Sequence, residues 1–198
     1  MSKLFIIIKP EGIIYFGDII NSLGLKSNQY DAYIIKDWKS LSRKLYGHYF
    51  NNKKRKFNYE NLLFMETKLF GNIALCLVLK KFDKVFFSNV SQIKQKLRKN
   101  IYRIANVNGI YNIVDINTIN PNVNACETLY IKYDNKKNDK EISNKGYFQM
   151  HNFSYIHMPD ADIDVLDREY LFVKEYIMYR NKLNKIDIKK IKDLRKNE

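Results

Sequence analysis

Two runs without a charged or hydroxyl-bearing side chain constrain this chain more than any other feature: Leu4 to Ile8 and Ile73 to Leu79. A strand with one face in water alternates apolar and polar residues. An unbroken apolar run rich in β-branched residues needs cover on both faces. Both runs are therefore expected as central strands of one sheet, and the segments between and after them must supply helices to cover it.

Those segments carry the appropriate signals. Lys9-Pro10-Glu11-Gly12 reads as a turn that leaves a lysine at the end of the first strand. A helix fits Phe16 to Leu23 with Gly24 as its stop, and Tyr30 to Ile35 reads as a second strand. Asp37 is the expected N-cap of a helix carrying Leu41, Leu45 and Tyr49 on one side. Asn51 to Lys56 forms a basic loop, followed by a short helix with Leu62, Leu63 and Met65. After the second apolar run, Asn89 and Gln92 form a capping box. The helix it would open buries Val90, Ile93, Leu97, Ile101 and Ile104, and turns Lys94, Lys96, Arg98, Lys99 and Arg103 outward.

From Ala105 to Gly146 the periodicity dissolves. Strands fit Ile110 to Ile116 and Thr128 to Tyr133, and Lys132 to Lys145 reads as an exposed loop. Regularity returns with Phe153, Tyr155 and Ile156, a short strand that ends in His157. Pro159, Asp160 and Asp162 then supply helix-start chemistry for a stripe of Leu166, Tyr170, Val173 and Ile177. The order of elements fits an α+β fold of the ferredoxin-like, split β-α-β kind: a four-stranded, mainly antiparallel sheet with helices packed on it. The expected organisation is one domain over 1–180, with an irregular insert at about 105–147, and a basic C-terminal extension over 181–198. In that extension Ile188, Ile191 and Leu194 suit either a docked helix or a basic tail.

Composition narrows the function classes. With 45% apolar and 14% aromatic residues the chain is not globally disordered. No apolar run reaches the length of a membrane span, and the N-terminus lacks the pattern of a signal peptide. Cys76 and Cys126 stand far apart with no metal-binding spacing, so no metal site is expected and a reducing cytoplasm is the expected compartment. The 35 Lys and Arg against 21 Asp and Glu leave a formal net charge of +14, which suits nucleic acid or a phosphate-rich ligand equally. The abundance of Asn, Ile, Tyr and Lys also matches an AT-rich coding bias, which makes part of that charge drift.

A lone histidine is most often structural, so His157 acquires chemical interest only with partners. Acid–base or nucleophilic work needs a group that orients the second ring nitrogen, and Asp160, Asp164, Asp167 and Glu169 lie downstream. Phosphoryl chemistry needs cations, which Lys9, Arg98 and Arg103 could supply. Phe57 in its basic loop suits an apolar slot for a nucleobase. There is no Gly-rich phosphate loop, which excludes a P-loop mechanism.

These pieces, in this order, resemble the nucleoside diphosphate kinase family. Phe5-Ile6-Ile7-Ile8-Lys9-Pro10-Glu11-Gly12 is similar to its first strand and lysine turn, and Leu45-Tyr46-Gly47-His48-Tyr49 to its His-Tyr helix end. Phe57 and Met65 fall in register, and Tyr155-Ile156-His157-x-x-Asp160 with Arg168-Glu169 is similar to the active-site signature. The resemblance covers Leu4 to Leu79 and Phe153 to Phe172. It implies that His157 takes the γ-phosphate of a nucleoside triphosphate as phosphohistidine and passes it to a diphosphate. Lys9 would neutralise phosphate charge, Tyr49 would sit beside the imidazole and Glu169 would orient it. Phe57 would stack on the base, Arg98 or Arg103 would hold phosphate, and Mg²⁺ would bridge the phosphates. Homo-oligomers are common in the family and are implied as well.

Several positions depart from the family pattern. Ser154 stands where the family has Asn, Met158-Pro159 replaces Gly-Ser, and Glu169 lies one residue further from the histidine. No arginine occurs between Arg103 and Arg168, so the second phosphate arginine has no counterpart. The departures define two alternatives: a catalytically degenerate nucleotide-binding or protein-interaction module on the same fold, and a basic nucleic-acid-binding protein.

Overall fold

A computed structural model describes residues 3–53, 59–60, 63, 67, 71–94, 96–97, 111–115, 128–133, 147–151, 155–179, 182–183, 185–187 and 190–191. The chain divides into two compact units, Met1–Lys94 with Tyr155–Glu198, and Gln95–Ser154.

The first unit is built on a sheet of β1 (Phe5–Ile8), β2 (Tyr30–Ile35), β3 (Ala74–Leu79) and β7 (Ile156–His157), in the order β2-β3-β1-β7. All of its pairings are antiparallel. β1 and β3 are buried at every residue and occupy the two central places, as their unbroken apolar runs require. Because β1 and β2 both run antiparallel to β3, they run in the same direction with β3 between them. The fold is α+β, and this order is compatible with a split β-α-β arrangement.

Local chemistry accounts for the connections. Pro10–Tyr15 forms a 3-10 turn that begins with a proline, whose missing N–H is no loss there. Within it Gly12 is required by space: a Cβ would stand 2.6 Å from the backbone oxygen of Tyr155 and 3.1 Å from Ile8 Cγ2. α1 (Phe16–Leu23) ends at Gly24 with φ of 67°, a left-handed stop that costs glycine nothing. Asp37 caps α2 (Trp38–Leu45) by accepting from Ser40 N–H at 3.1 Å, and also accepts from Asn72 Nδ2 at 3.2 Å. Partial burial raises the pKa of its carboxyl, but the bonds from Ser40 and Asn72 outweigh that and hold it below its ordinary value.

α2 does not run on to Tyr49, as the sequence suggested. It stops at Leu45, and a separate turn, α3 (Gly47–Phe50), follows a break at Tyr46. A second difference lies after β3. Asp83 caps a short α4 (Lys84–Ser88), and Asn89 closes that helix by donating from Nδ2 to Val85 O at 2.8 Å. The next helical residues begin at Val90. Asn89 thus stands at the expected N-cap place of the next helix, its C=O accepting from Ile93 N–H at 3.0 Å, while its side chain closes the preceding helix.

α5 (Ile163–Ile177) covers the sheet after β7, capped by Asp162, which accepts from Asp164 and Val165 N–H groups. Its buried residues are Leu166, Glu169, Val173 and Ile177, with Tyr170 half-buried against Phe5, so the expected stripe also contains a carboxylate. The chain continues into a two-stranded hairpin, β8 (Met178–Tyr179) and β9 (Lys182–Leu183). It then lies along the outer edge of β2: Lys185 bridges to Tyr33, and Ile186 N–H donates to Ala32 O at 2.9 Å. Ile191 is buried.

The second unit contains a three-stranded antiparallel sheet, β4 (Tyr111–Asp115), β5 (Thr128–Tyr133) and β6 (Tyr147–His151), in that order. β4 and β5 fall where strands were expected, and β6 lies in a stretch whose pattern gave no strand. The expected insert at about 105–147 falls within this unit.

Candidate functional site

The site grows out of the register between β1 and β7. Ile7 pairs with His157, Ile8 with Ile156, and Lys9 N–H donates to Tyr155 O at 2.9 Å. Residues paired across strands share a face, and side chains alternate along each strand. His157 therefore emerges on the face that carries Ile7, Phe5 and Lys9. Lys9 is its diagonal neighbour, a relation that separates Cβ atoms by roughly 7–8 Å or less. Phe5 confirms the face, with its ring centroid 6.3 Å from His157 and 6.2 Å from Tyr170 of α5.

Both nitrogens of His157 are engaged. Nε2 lies 2.8 Å from Glu169 Oε2, and Nδ1 lies 2.8 Å from the hydroxyl of Tyr46. His157 and Glu169 are each only 7% exposed, so their bond is shielded from bulk water, while the bond to the half-buried Tyr46 is only partly so. An ionised carboxylate can only accept, and beside one Nε2 would carry the proton and donate it to Glu169. In the neutral ring the lone pair is then on Nδ1, where it accepts from Tyr46 O–H. The carboxylate–imidazole pair matches the arrangement that fixes tautomer and ring orientation in nucleophilic and acid–base sites.

Glu169 reaches the ring although it lies twelve positions beyond His157. The extended Met158-Pro159 segment, both residues buried, precedes the Asp162 cap. The cap sets the helical phase so that Glu169 falls on the buried stripe. Met158, at 1% exposure, is packed into the interior.

The tyrosine at the imidazole is Tyr46, where the sequence placed Tyr49. Its ring stands edge-on to His157 with centroids 5.2 Å apart and planes at 88°. The break in α2 explains the exchange. With α2 ending at Leu45, Tyr46 takes a bridge conformation (φ −106°, ψ 21°) and leaves the helical register. Tyr49 packs on His48 and on Tyr46, and stacks on Tyr59 at 5.0 Å with planes 5° apart. Gly47, a poor residue for a helix interior, was the signal of the break in the sequence.

Lys9 is 6% exposed, with Nζ 3.6 Å from Glu11 Oε1 and 6.0 Å from the centre of the Trp38 ring. Glu11, at 1% exposure, is more deeply buried than its partner. Neither Glu11 nor Trp38 was singled out in the sequence. The proximity of Glu11 to Lys9 was its only signal. Phe57, Arg98 and Arg103 lie outside the described residues, as do Met65 and Ser154. Arg168 is exposed on α5. Asp160 is exposed and lies 3.4 Å from Lys94 Nζ. Among the described residues no group of three or more His, Cys, Asp or Glu side chains gathers as a metal-ligand set, and no helix is long and apolar enough to cross a membrane.

Fold and site together define an α+β protein that holds a buried carboxylate–imidazole pair, extended by the half-buried phenol of Tyr46, at a strand end whose diagonal neighbour is the buried Lys9. No family model, curated protein or solved structure matches the chain.

Proposed function

We propose that this chain is a nucleoside diphosphate kinase-like phosphotransferase that moves the γ-phosphate of a nucleoside triphosphate to a diphosphate through His157. The observation that carries the reading is the 2.8 Å bond between His157 Nε2 and the buried carboxylate of Glu169. It reserves the Nδ1 lone pair for attack and offsets the positive charge that the ring acquires as its second nitrogen becomes bonded.

In the forward half-reaction Nδ1 forms a bond to the γ-phosphorus, and the bond to the bridging oxygen breaks, releasing a nucleoside diphosphate. Lys9, on the adjacent strand end, neutralises phosphoryl oxygens as charge develops on them. Mg²⁺ carried on the nucleotide phosphates would supply further neutralisation. In the return half-reaction a terminal oxygen of a second diphosphate attacks the phosphorus, and the imidazole leaves with Nε2–H still held by Glu169. In this reading Phe57 stacks on the base and Arg98 or Arg103 holds phosphate.

Two observations favour a second reading, a nucleotide-binding or protein-interaction module without catalysis. Lys9 is already engaged by Glu11, and Nδ1 already accepts from Tyr46. Steady-state transfer from Mg²⁺–ATP to a different nucleoside diphosphate separates the two. The enzyme gives ping-pong kinetics that are lost in His157→Ala. Tight binding of Mg²⁺–ATP with no transfer would leave the module.

A further inference from the structure

Tyr46 stands outside the pairing of His157 with Glu169 that the proposed reaction uses, yet its hydroxyl occupies the position on the imidazole where a phosphoryl group would bond. The Oη–Nδ1 distance is 2.8 Å, and the ring plane of Tyr46 is nearly perpendicular to that of His157. With Nε2 bonded to Glu169, Nδ1 is the ring's available nucleophile, and His157 is only 7% exposed. A phosphorus atom cannot approach Nδ1 while the hydroxyl is there.

Tyr46 sits in the break between α2 and α3, its N–H donating to Ser42 O at 2.9 Å and its C=O accepting from Tyr49 N–H at 2.8 Å. Its ring is flanked by aromatic rings, Tyr59 at 5.2 Å and Tyr49 at 6.4 Å.

We propose that Tyr46 is a positioning residue that holds the imidazole in its Nε2–H tautomer and covers the Nδ1 lone pair until a phosphoryl group displaces the hydroxyl. In the resting site the ring is clamped at both nitrogens. On attack the Tyr46 O–H must leave Nδ1, so its hydrogen bond to the lone pair is broken before the bond to phosphorus forms. The clamp orients the nucleophile and holds it in reserve. The inference deepens the phosphotransferase reading and rests on it for the identity of the electrophile.

The test uses the full-length protein without nucleotide, so its outcome is separate from that of any transfer assay. The probe is phosphoramidate, which gives its phosphoryl group to an imidazole nitrogen and releases ammonia. Tyr46→Phe keeps the ring and its aromatic neighbours but removes the hydroxyl. Modification of His157 should then rise about 3- to 10-fold, the equivalent of one net hydrogen bond, and all of the gain should appear on Nδ1. In the unsubstituted protein, ¹⁵N spectra of the neutral ring should show the proton on Nε2. An unchanged or slower rate in Tyr46→Phe overturns the proposal, as does a gain on Nε2, which would mean that the site has merely loosened. A neutral ring protonated on Nδ1 overturns it without any substitution.

Discussion

The two edges of the four-stranded sheet are secured by different physics. At one edge β2 is six residues long and pairs with β3 along its whole length. The returning chain at Lys185 and Ile186 covers its open side with a backbone hydrogen bond, and Lys185 adds a 2.6 Å ion pair to Asp31. Such cover blunts an edge that would otherwise offer unpaired backbone groups to another chain. At the other edge β7 has only two residues and two ladder partners in β1. Beyond that short ladder and the Lys9 N–H bond to Tyr155 O, it depends on side chains, Glu169 and Tyr46 on His157, and on the tight approach of Gly12 to the Tyr155 backbone. An edge fixed by backbone tolerates changes in side chains. An edge fixed by a buried polar chain fails when one member is removed, because the others are left without partners. The lesson is that the proposed chemistry sits where the sheet is least regular.

That contrast can be broken at several points. The largest expected effect is at Glu169. Glu169→Ala removes the acceptor of Nε2–H and releases the tautomer, and phosphoryl uptake at His157 should fall about 10³-fold or more, by analogy with other sites where an orienting carboxylate is lost. Stability should fall as well, by about 1–3 kcal/mol, since a buried donor loses its partner. Denaturant unfolding beside a labelling assay reads both.

Lys9→Ala should lower labelling about 10²-fold through loss of one positioned cation. It should also destabilise by about 3 kcal/mol, because the buried carboxylate of Glu11 is left facing no cation at that position. The double variant Lys9→Met with Glu11→Gln should recover most of the stability and none of the activity. Recovery of both would remove Lys9 from the chemistry.

Gly12→Ala tests the packing that sets β7. A Cβ placed 2.6 Å from Tyr155 O must displace backbone. An overpacking cost of about 2 kcal/mol is expected, together with slower labelling, because the shifted strand carries His157. A variant as stable as the parent would show that the turn has room that the geometry denies.

The smallest effect belongs to the opposite edge. Ile186→Pro deletes the N–H that donates to Ala32 O and should cost about 1 kcal/mol. Labelling at His157 should not change. A large loss of activity from this position would mean that the two edges are not independent.

How much of this was legible in the sequence follows the same division. The central strands were readable because burial on both faces leaves an unbroken apolar run, and Gly24 and Asp37 marked a helix stop and a helix start by local chemistry. His157 and Glu169 were legible as a pair only through resemblance, since a carboxylate within a buried stripe reads as polar surface until its partner is known. Tyr46 was illegible for a different reason. Its place depends on where α2 breaks, and two tyrosines three residues apart exchange roles when a helix ends one turn early. Glu11 and Trp38 gained their meaning from tertiary packing around Lys9, which periodicity does not encode. The strand at Tyr147–His151 follows an Asn- and Lys-rich stretch whose composition masks any alternation.

The central claim is that His157 is a phosphoryl acceptor held ready by Glu169. Its most direct measurement is a single-turnover reaction with γ-labelled ATP and Mg²⁺, quenched in base, with the label located by peptide mass spectrometry at alkaline pH. The account predicts an acid-labile, base-stable phosphate on Nδ1 of His157, discharged by added nucleoside diphosphate and absent from His157→Ala. A protein that binds Mg²⁺–ATP yet takes up no label over hours, or carries an acid-stable phosphate on Tyr46 instead, would contradict it.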